Sequence, residues 1–298
     1  MKIDEKLYSP ATINRIKKDY GFNLSKSLGQ NFLTDINVIN EIISGSLIDE
    51  NSLVIEIGPG IGVLTKEAAR IAGKVIAIEI DKKLVPILED NLSQYDNVEI
   101  INKDILKTDV NEIIASNRNF SNVRIIGNLP YYITTPIIMK LLEDRVLADS
   151  ITVMMQREVA LRINAEPGSK ECGAITYAVK YYSRVEKICN VSKNVFYPVP
   201  KVDSVVLRMD IEKNNGYDVL DEELFFKCVK AGFGQRRKTL LNSISSMGIY
   251  SKDIVDKCLS EVGIDSKRRA ETLTIEEFVR ISNELSLKGN KIELSKKA

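Results

Sequence analysis

Apolar residues in the first two thirds of the chain fall into short runs that alternate with stretches of helical spacing. Five runs rich in β-branched residues have the length and composition of buried strands: residues 53–57, 74–80, 98–102, 123–126 and 151–155. Helix-like stretches at 64–71 and 83–92 separate the first three of them. Strand–helix alternation of this kind predicts right-handed crossovers and a mostly parallel, doubly wound sheet.

The pattern changes twice outside this region. Beyond a helical stretch at 174–182, two β-rich runs at 185–191 and 202–211 are expected to close the sheet as an antiparallel hairpin, which gives seven strands. After residue 214 only amphipathic helices are predicted, at 221–233, 236–247, 251–262 and 274–286. The chain is therefore expected to have four parts: a flexible basic arm (1–27), an α/β domain (28–210), a small all-α domain (211–287) and a tail (288–298).

Composition excludes several kinds of chemistry. The 298 residues include no histidine, which rules out Ser-His-Asp catalysis, histidine-ligated metals and imidazole bases. The four cysteines are widely spaced without a C-x-x-C pair, so no metal site is expected. No apolar run approaches the roughly 20 residues of a membrane span, and residues 1–5 are unlike a signal peptide. A cytoplasmic protein without a membrane partner is expected.

A glycine-rich turn follows the first predicted strand. Gly58, Gly60 and Gly62 form a G-x-G-x-G pattern, and glycine there permits positive φ and a close approach of the backbone to a ligand. A dinucleotide site would have its third glycine one residue later, where Val63 stands. The turn therefore favours a nucleoside ligand without phosphates.

Two acidic residues follow the next two strands. Glu79 comes 21 residues after Gly58, where a carboxylate can accept hydrogen bonds from both ribose hydroxyls. Asp104 follows the third strand and is a candidate for the adenine amino group. Each residue would otherwise be a capping or solvent-facing acid.

The segment Asn128-Leu129-Pro130-Tyr131 follows the fourth strand at the same sheet edge. An exocyclic amine on adenine is a poor nucleophile because its lone pair is delocalised into the ring. An amide oxygen and a backbone carbonyl that accept its two N–H bonds would favour a pyramidal nitrogen, and proline holds that carbonyl in place. Tyr131 can stack on a flipped base, and Phe196, in a proline-stiffened loop, is a candidate for its other face. The alternatives are a proline turn with a core tyrosine, and a hydrophobic plug at Phe196.

Two clusters of basic residues are candidates for a nucleic-acid-binding surface. The net charge is only +1, so the whole chain is not a polycation. Arg236, Arg237 and Lys238 end a stretch, 226–238, with five basic and no acidic residues, and a second cluster lies at 267–269. Such clusters either neutralise phosphates or form solvated helix faces.

Five motifs in this order resemble one protein family. They are SLGQNFL (27–33), EIGPG (56–60), GNLPYY (127–132), FYPVPKVDS (196–204) and QRRKTL (235–240). The chain resembles the ribosomal RNA adenine N6,N6-dimethyltransferases, and in particular the small-subunit enzyme that dimethylates two adjacent adenines in the 3′-terminal hairpin of 16S rRNA. The resemblance implies a Rossmann-like class I methyltransferase fold.

The resemblance also implies a cofactor, a partner and further site residues. The cofactor is S-adenosylmethionine, and Asn31 and Leu33 would contact it beside Gly58, Gly60, Glu79, Asp104 and Asn128. The QRRK segment would contribute to rRNA docking. The implied partner is small-subunit rRNA in an immature 30S particle, bound by a monomer without a metal, with a role late in subunit assembly.

Three alternatives remain. Macrolide-resistance enzymes, which methylate an adenine of large-subunit rRNA, have the same cofactor turn, but Leu129 and the motifs PKVDS and QRRKTL favour the small-subunit enzyme. A non-catalytic assembly factor is disfavoured by the complete amine motif. An NAD-dependent dehydrogenase is disfavoured by Val63 and by the lack of histidine.

Overall fold

The computed structural model describes residues 6–22, 29–212, 214–235 and 237–297, with side chains described as far as residue 289. The chain divides into two compact units. The first unit contains the described residues of 1–160 and 184–212, and the second contains those of 161–183 and 213–298.

Nine strands and twelve helices occur in the described part of the chain. The strands are β1 (Phe32–Leu33), β2 (Ser52–Ile57), β3 (Lys74–Glu79), β4 (Val98–Asn102), β5 (Asn122–Asn128), β6 (Ser150–Gln156), β7 (Ser183–Val191), β8 (Phe196–Tyr197) and β9 (Ser204–Ile211). The helices are α1 (Pro10–Asp19), α2 (Ile36–Gly45), α3 (Val63–Ala69), α4 (Val85–Leu92), α5 (Val110–Ala115), α6 (Thr134–Glu143), α7 (Arg157–Ile163), α8 (Ala174–Tyr182), α9 (Glu222–Gly234), α10 (Leu240–Ser245), α11 (Lys252–Glu261) and α12 (Ile275–Lys297).

Seven of the strands form one sheet in the order β4-β3-β2-β5-β6-β9-β7. Strands β2 to β6 pair in parallel, and β9 pairs antiparallel with β6. Every residue of β2 is buried, as expected for a central strand of a sheet that is covered on both faces. The predicted α/β fold with a mostly parallel seven-stranded sheet is confirmed.

The strand order creates a crevice at the carboxyl ends of β2 and β5. From β2 the chain continues to β3 and β4 on one side of the sheet, and it then returns to β5 and β6 on the other side. Ligands of open parallel sheets bind at such a topological switch point. The glycine turn follows β2, and Asn128 is the last residue of β5, so the two main sequence motifs lie at this point.

Residues 7–22 differ from the predicted flexible arm. They include α1, and Leu7, Ile13, Ile16 and Phe22 are buried in the core of the first unit. The Tyr20 hydroxyl donates a hydrogen bond to Asp90 at 2.8 Å. The prediction of a flexible arm is therefore wrong over this stretch, because apolar side chains one helical turn apart are buried. Residues 1–5 and 23–28 lie outside the described residues.

The second unit is helical but is not contiguous in sequence. It includes residues 161–183, which were predicted to belong to the α/β domain. Tyr177 of α8 explains this difference, because its hydroxyl donates to the Leu273 carbonyl at 2.6 Å and its ring lies 5.1 Å from that of Phe278. Helix α12 continues through Lys297, so the predicted separate tail is also corrected.

Candidate functional site

A pocket in the first unit opens at the carboxyl end of the sheet. Its lining comes from residues 29–32 and from the segments that end or follow β2, β3, β4 and β5. These segments bring together Gly58, Gly60, Glu79, Asp104 and Asn128. All five were predicted from the sequence as cofactor-binding residues.

The glycine turn requires its glycines for two different reasons. Gly58 and Gly60 have φ of +69° and +64°, a region that L side chains rarely adopt. A Cβ at Gly58 would meet no atom within 4 Å, whereas a Cβ at Gly60 would lie 2.9 Å from the ring of Phe32. Gly58 thus leaves its backbone open to the pocket, and Gly60 makes room for β1.

Glu79 is 4% exposed and is held by the backbone around it. Its Oε1 accepts a hydrogen bond from the Asp81 N–H at 2.8 Å, and its Oε2 accepts one from the Gly60 N–H at 3.2 Å. Burial raises the pKa of Glu79, while these hydrogen bonds oppose the rise. Each carboxylate oxygen has a further lone pair, so the group can accept two hydroxyls of a ribose.

Asp104 is a second acidic residue in the pocket lining. It caps the 3₁₀ turn Ile105–Lys107, with the Leu106 N–H donating to Oδ1 at 3.0 Å. This capping bond fixes the carboxylate and leaves Oδ2 as a second acceptor. An adenine amino group is a donor that such an oxygen can bind.

Asn128 has an amide whose orientation is set by its neighbour. Its Nδ2 donates to the backbone carbonyl of Asn31 at 2.9 Å. A carbonyl oxygen can only accept, so the amide nitrogen must face Asn31 and the amide oxygen Oδ1 serves as the acceptor. Asn31 in turn donates from Nδ2 to the Gly29 carbonyl at 3.0 Å. The segment 29–31 therefore presents Asn128 as a hydrogen-bond acceptor for an amine.

The proline turn selects which backbone carbonyl can act beside Asn128. The Pro130 carbonyl accepts from the Ile133 N–H at 3.1 Å and from Thr134 Oγ1 at 3.0 Å. These two bonds, at the start of α6, occupy both lone pairs of the Pro130 carbonyl oxygen, so this carbonyl has none left for a ligand. The Leu129 carbonyl is then the acceptor next to Asn128, while the Leu129 side chain is buried.

Two tyrosines follow in the pocket wall. The Tyr131 ring is half-buried, and its hydroxyl shares a hydrogen bond with Ser204 Oγ at 2.8 Å. Burial raises the pKa of Tyr131, so the phenol is neutral at pH 7. Tyr132 is 58% exposed, and a Cβ at Gly29 would lie 3.5 Å from its ring. Tyr132 thus stands at the mouth of the pocket, close to Gly29.

Leu33 and Phe196 do not line the pocket. They are direct partners in the antiparallel pair of β1 and β8, so their side chains share one face. Both are buried in the core of the first unit, with Phe196 3% exposed. The expected stacking of Phe196 on a base is therefore corrected to a core position, which was the alternative considered for this residue.

Glu56 is a buried acid near the site that the sequence reasoning did not single out. It lies within β2 and accepts a hydrogen bond from Thr65 Oγ1 at 2.5 Å. Burial raises its pKa to about 8, and the Glu79 carboxylate adds to the rise. The sequence could have indicated Glu56, because it is an acidic residue inside an otherwise apolar predicted strand.

The predicted basic residues belong to the second unit. Arg237 and Lys238 are exposed before α10, while Arg236 lies outside the described residues. The Leu240 N–H donates to the Arg268 carbonyl at 2.7 Å, and the Leu241 N–H donates to the Ser266 carbonyl at 3.2 Å. These bonds bring the two basic clusters of the sequence side by side.

Residues 21–287 match the family model described as ribosomal RNA adenine dimethylase. The chain belongs to the ribosomal RNA adenine dimethylase family. Relatives of this dimethylase include two proteins named ribosomal RNA small subunit methyltransferase A. That of Clostridioides difficile is 49% identical over 95% of this chain and 98% of the relative, and that of Shouchella clausii is 48% identical over 96% and 97%.

Solved structures agree with this assignment. A dimethyladenosine transferase from Plasmodium falciparum matches with a TM-score of 0.72 and 26% identity, over 86% of this chain and 98% of that one. The 23S rRNA methyltransferase ErmE matches with a TM-score of 0.63 and 25% identity, over 86% and 99%. The dimethylase is an S-adenosylmethionine-dependent rRNA adenine methyltransferase with a class I methyltransferase fold.

The pocket suits this cofactor. The open face at Gly58 and the fixed carboxylates of Glu79 and Asp104 match a nucleoside without phosphates. Among the described residues, no group of three or more acidic, cysteine or histidine side chains is arranged to hold a metal ion. No helix in the described ranges is long and apolar enough to cross a membrane.

Proposed function

We propose that this dimethylase methylates N6 of two adjacent adenines in the 3′-terminal hairpin of small-subunit (16S) rRNA, giving N6,N6-dimethyladenosine. S-adenosylmethionine supplies the methyl groups. The observation that carries the chemistry is the bond from Asn128 Nδ2 to the Asn31 carbonyl, because it presents Oδ1 to an amine. Support for the small subunit comes from relatives of that name, which are 48–49% identical over nearly the whole chain.

The residues of the pocket divide into two groups in this proposal. Gly58, Gly60, Glu79 and Asp104 hold the cofactor, together with Asn31. Leu33 is given no direct contact with it, because its side chain is buried in the core and does not line the pocket. The Asn128 amide oxygen and the Leu129 carbonyl accept the two N–H bonds of the adenine amine. The lone pair of the nitrogen then turns out of the ring plane toward the methyl group.

No residue has to remove a proton from the adenine amine before the amine attacks the methyl group. The amine is neutral, and the methylated nitrogen becomes acidic only once it carries a positive charge. Pro130 keeps the Leu129 carbonyl in position, and the Tyr131 ring stacks on the base, an interaction worth roughly 1–3 kcal/mol. The chemistry therefore agrees with a sequence that lacks histidine.

Docking to rRNA is proposed for the joined basic surface of the second unit, defined here as Arg237, Lys238, Lys267 and Arg269. These four side chains are exposed, and adjacent cations of this kind bind phosphates. Arg236 is included on the basis of sequence alone. The proposed partner is an immature 30S particle, bound by a monomer in the cytoplasm.

A large-subunit activity is the second candidate, because the 23S rRNA methyltransferase ErmE has a similar structure over 86% of this chain. The two candidates separate in one experiment. The protein is incubated with tritiated S-adenosylmethionine and either small or large ribosomal subunits that lack adenine dimethylation. Label in small-subunit rRNA is expected. Label confined to large-subunit rRNA would replace the proposal with the second candidate.

A further inference from the structure

Ser204 lies behind the pocket wall and touches a residue of the proposed base site. It is the first residue of β9 and is 1% exposed. Its hydroxyl shares a hydrogen bond with the Tyr131 hydroxyl at 2.8 Å. This contact joins the end of the amine motif to a strand 73 residues further along the chain.

The position of Ser204 is fixed from both sides. It pairs with Gln156 at the end of β6. The preceding residue, Asp203, accepts a backbone bond from the Arg157 N–H at 3.1 Å and, through its side chain, a bond from the Lys193 N–H at 2.9 Å. The Ser204 hydroxyl is thus a rigid point of attachment rather than a mobile surface group.

The Tyr131 backbone is fixed as well. The turn that contains Tyr131 is closed by the bond from the Ile133 N–H to the Pro130 carbonyl. The ring still has two rotatable side-chain bonds, and stacking on a flipped base requires one particular ring plane. A hydrogen bond at the far end of the ring fixes the direction of the ring axis, because the backbone and the hydroxyl oxygen are then both held. It also favours one ring plane, because a phenol makes its hydrogen bonds close to the plane of its own ring.

We infer that Ser204 is a positioning residue for methyl transfer: it fixes the ring plane of Tyr131 for stacking on the target adenine. This role rests on the proposed function. Ser204 does not touch the base or the cofactor in this scheme. Its effect reaches the reaction only through Tyr131.

The test compares Ser204→Ala, Tyr131→Phe and the double variant with the wild-type protein. Each single change removes the same hydrogen bond, and Tyr131→Phe keeps the ring. The rate of methyl transfer to undermethylated small subunits is expected to fall about three- to tenfold in each single variant, the range for one neutral hydrogen bond. The double variant is expected to be no slower than the slower single variant.

Binding measurements separate positioning from a loss of structure. The KM for subunits, set mainly by phosphate contacts, and the dissociation constant for S-adenosylmethionine are expected to stay within about twofold. Ser46→Ala is the matched control, since Ser46 is also buried in the first unit and its hydroxyl donates to the Ile42 carbonyl at 2.7 Å, within its own helix end. Multiplicative losses in the double variant, or a wild-type rate in Ser204→Ala, would overturn the inference.

A crystal structure of Ser204→Ala gives a readout that does not depend on activity. The Tyr131 ring is expected to leave its single orientation, either by moving or by occupying more than one rotamer. A ring unchanged from the wild type would also overturn the positioning role. If the wild-type protein methylates neither subunit, the proposed function fails, and this structure still decides whether Ser204 orients the ring.

Discussion

Glu56 allows a quantitative prediction about the strand that carries the glycine turn. Its carboxyl group is fully buried, and its pKa is raised from an ordinary value of 4.5 to about 8. The folded protein thus holds the proton more tightly than the unfolded chain does. The contribution of Glu56 to stability is therefore complete below pH 4.5 and is lost as the pH rises through about 8.

The size of the effect follows from this difference in pKa. Between pH 4.5 and pH 7 the wild-type protein loses about 3 kcal/mol through Glu56, at about 1.36 kcal/mol per pH unit. Glu56→Gln keeps the shape of the side chain and an oxygen for the Thr65 hydroxyl, but it has no proton to lose. The stability of the variant relative to the wild type is expected to rise by up to that amount over the same range.

Urea unfolding at a series of pH values between 5 and 8 measures this difference. Glu89→Gln is the control for the substitution itself, because it makes the same change at an exposed position on α4 of the same unit. A constant difference between Glu56→Gln and the wild type across the series would refute the account of Glu56 as a buried acid. The test uses the change with pH in the difference between the two unfolding free energies, and not the size of that difference at one pH. This change is independent of the free-energy cost of burying an amide.

Three further predictions concern the site and the basic surface. Asn128→Ala is expected to lower methyl transfer at least a hundredfold because the amine loses its side-chain acceptor, while calorimetry finds the affinity for S-adenosylmethionine within about threefold of wild type. Glu79→Ala is expected to raise the dissociation constant for S-adenosylmethionine about tenfold or more, since a charged acceptor of two hydroxyls is lost. Reversing the charges of Arg237 and Lys238 is expected to weaken binding to small subunits and to flatten its dependence on salt, as measured by sedimentation at several salt concentrations.

Each of these has an outcome that contradicts it. Normal turnover in Asn128→Ala would exclude the proposed contact with the amine. An unchanged dissociation constant in Glu79→Ala would remove the ribose contact. For the basic surface, Lys252→Glu is a control at an exposed position of α11 in the same unit. If reversal at Arg237 and Lys238 has no more effect than this control, the two residues form only a solvated surface.

The sequence predicted the sheet well because strand formation leaves a local pattern. The five parallel strands were each located within one or two residues, since central strands such as β2 are buried along their whole length. Glu79 and Asp104 were found at the pocket for the same reason: a residue at the end of a parallel strand must lie at one sheet edge.

The errors come from contacts between residues distant in sequence. Helix α1 has only two apolar residues, Ile13 and Ile16, among its buried positions, so its pattern alone is too weak to indicate a packed helix. Phe196 is buried because β8 pairs with β1 across more than 160 residues. Tyr177 connects α8 to the second unit through the Leu273 carbonyl. Such partners have no signature in the local spacing of apolar residues.

We propose above that the Asn128 pocket dimethylates adenines of small-subunit rRNA. The most direct measurement incubates undermethylated small subunits with S-adenosylmethionine and either the wild-type protein or Asn128→Ala, then maps the rRNA by nuclease digestion and mass spectrometry. We expect N6,N6-dimethyladenosine at the two adjacent adenines of the 3′-terminal hairpin with the wild type, and none with the variant. Unmodified adenines after incubation with the wild type, or equal modification by both proteins, would contradict it.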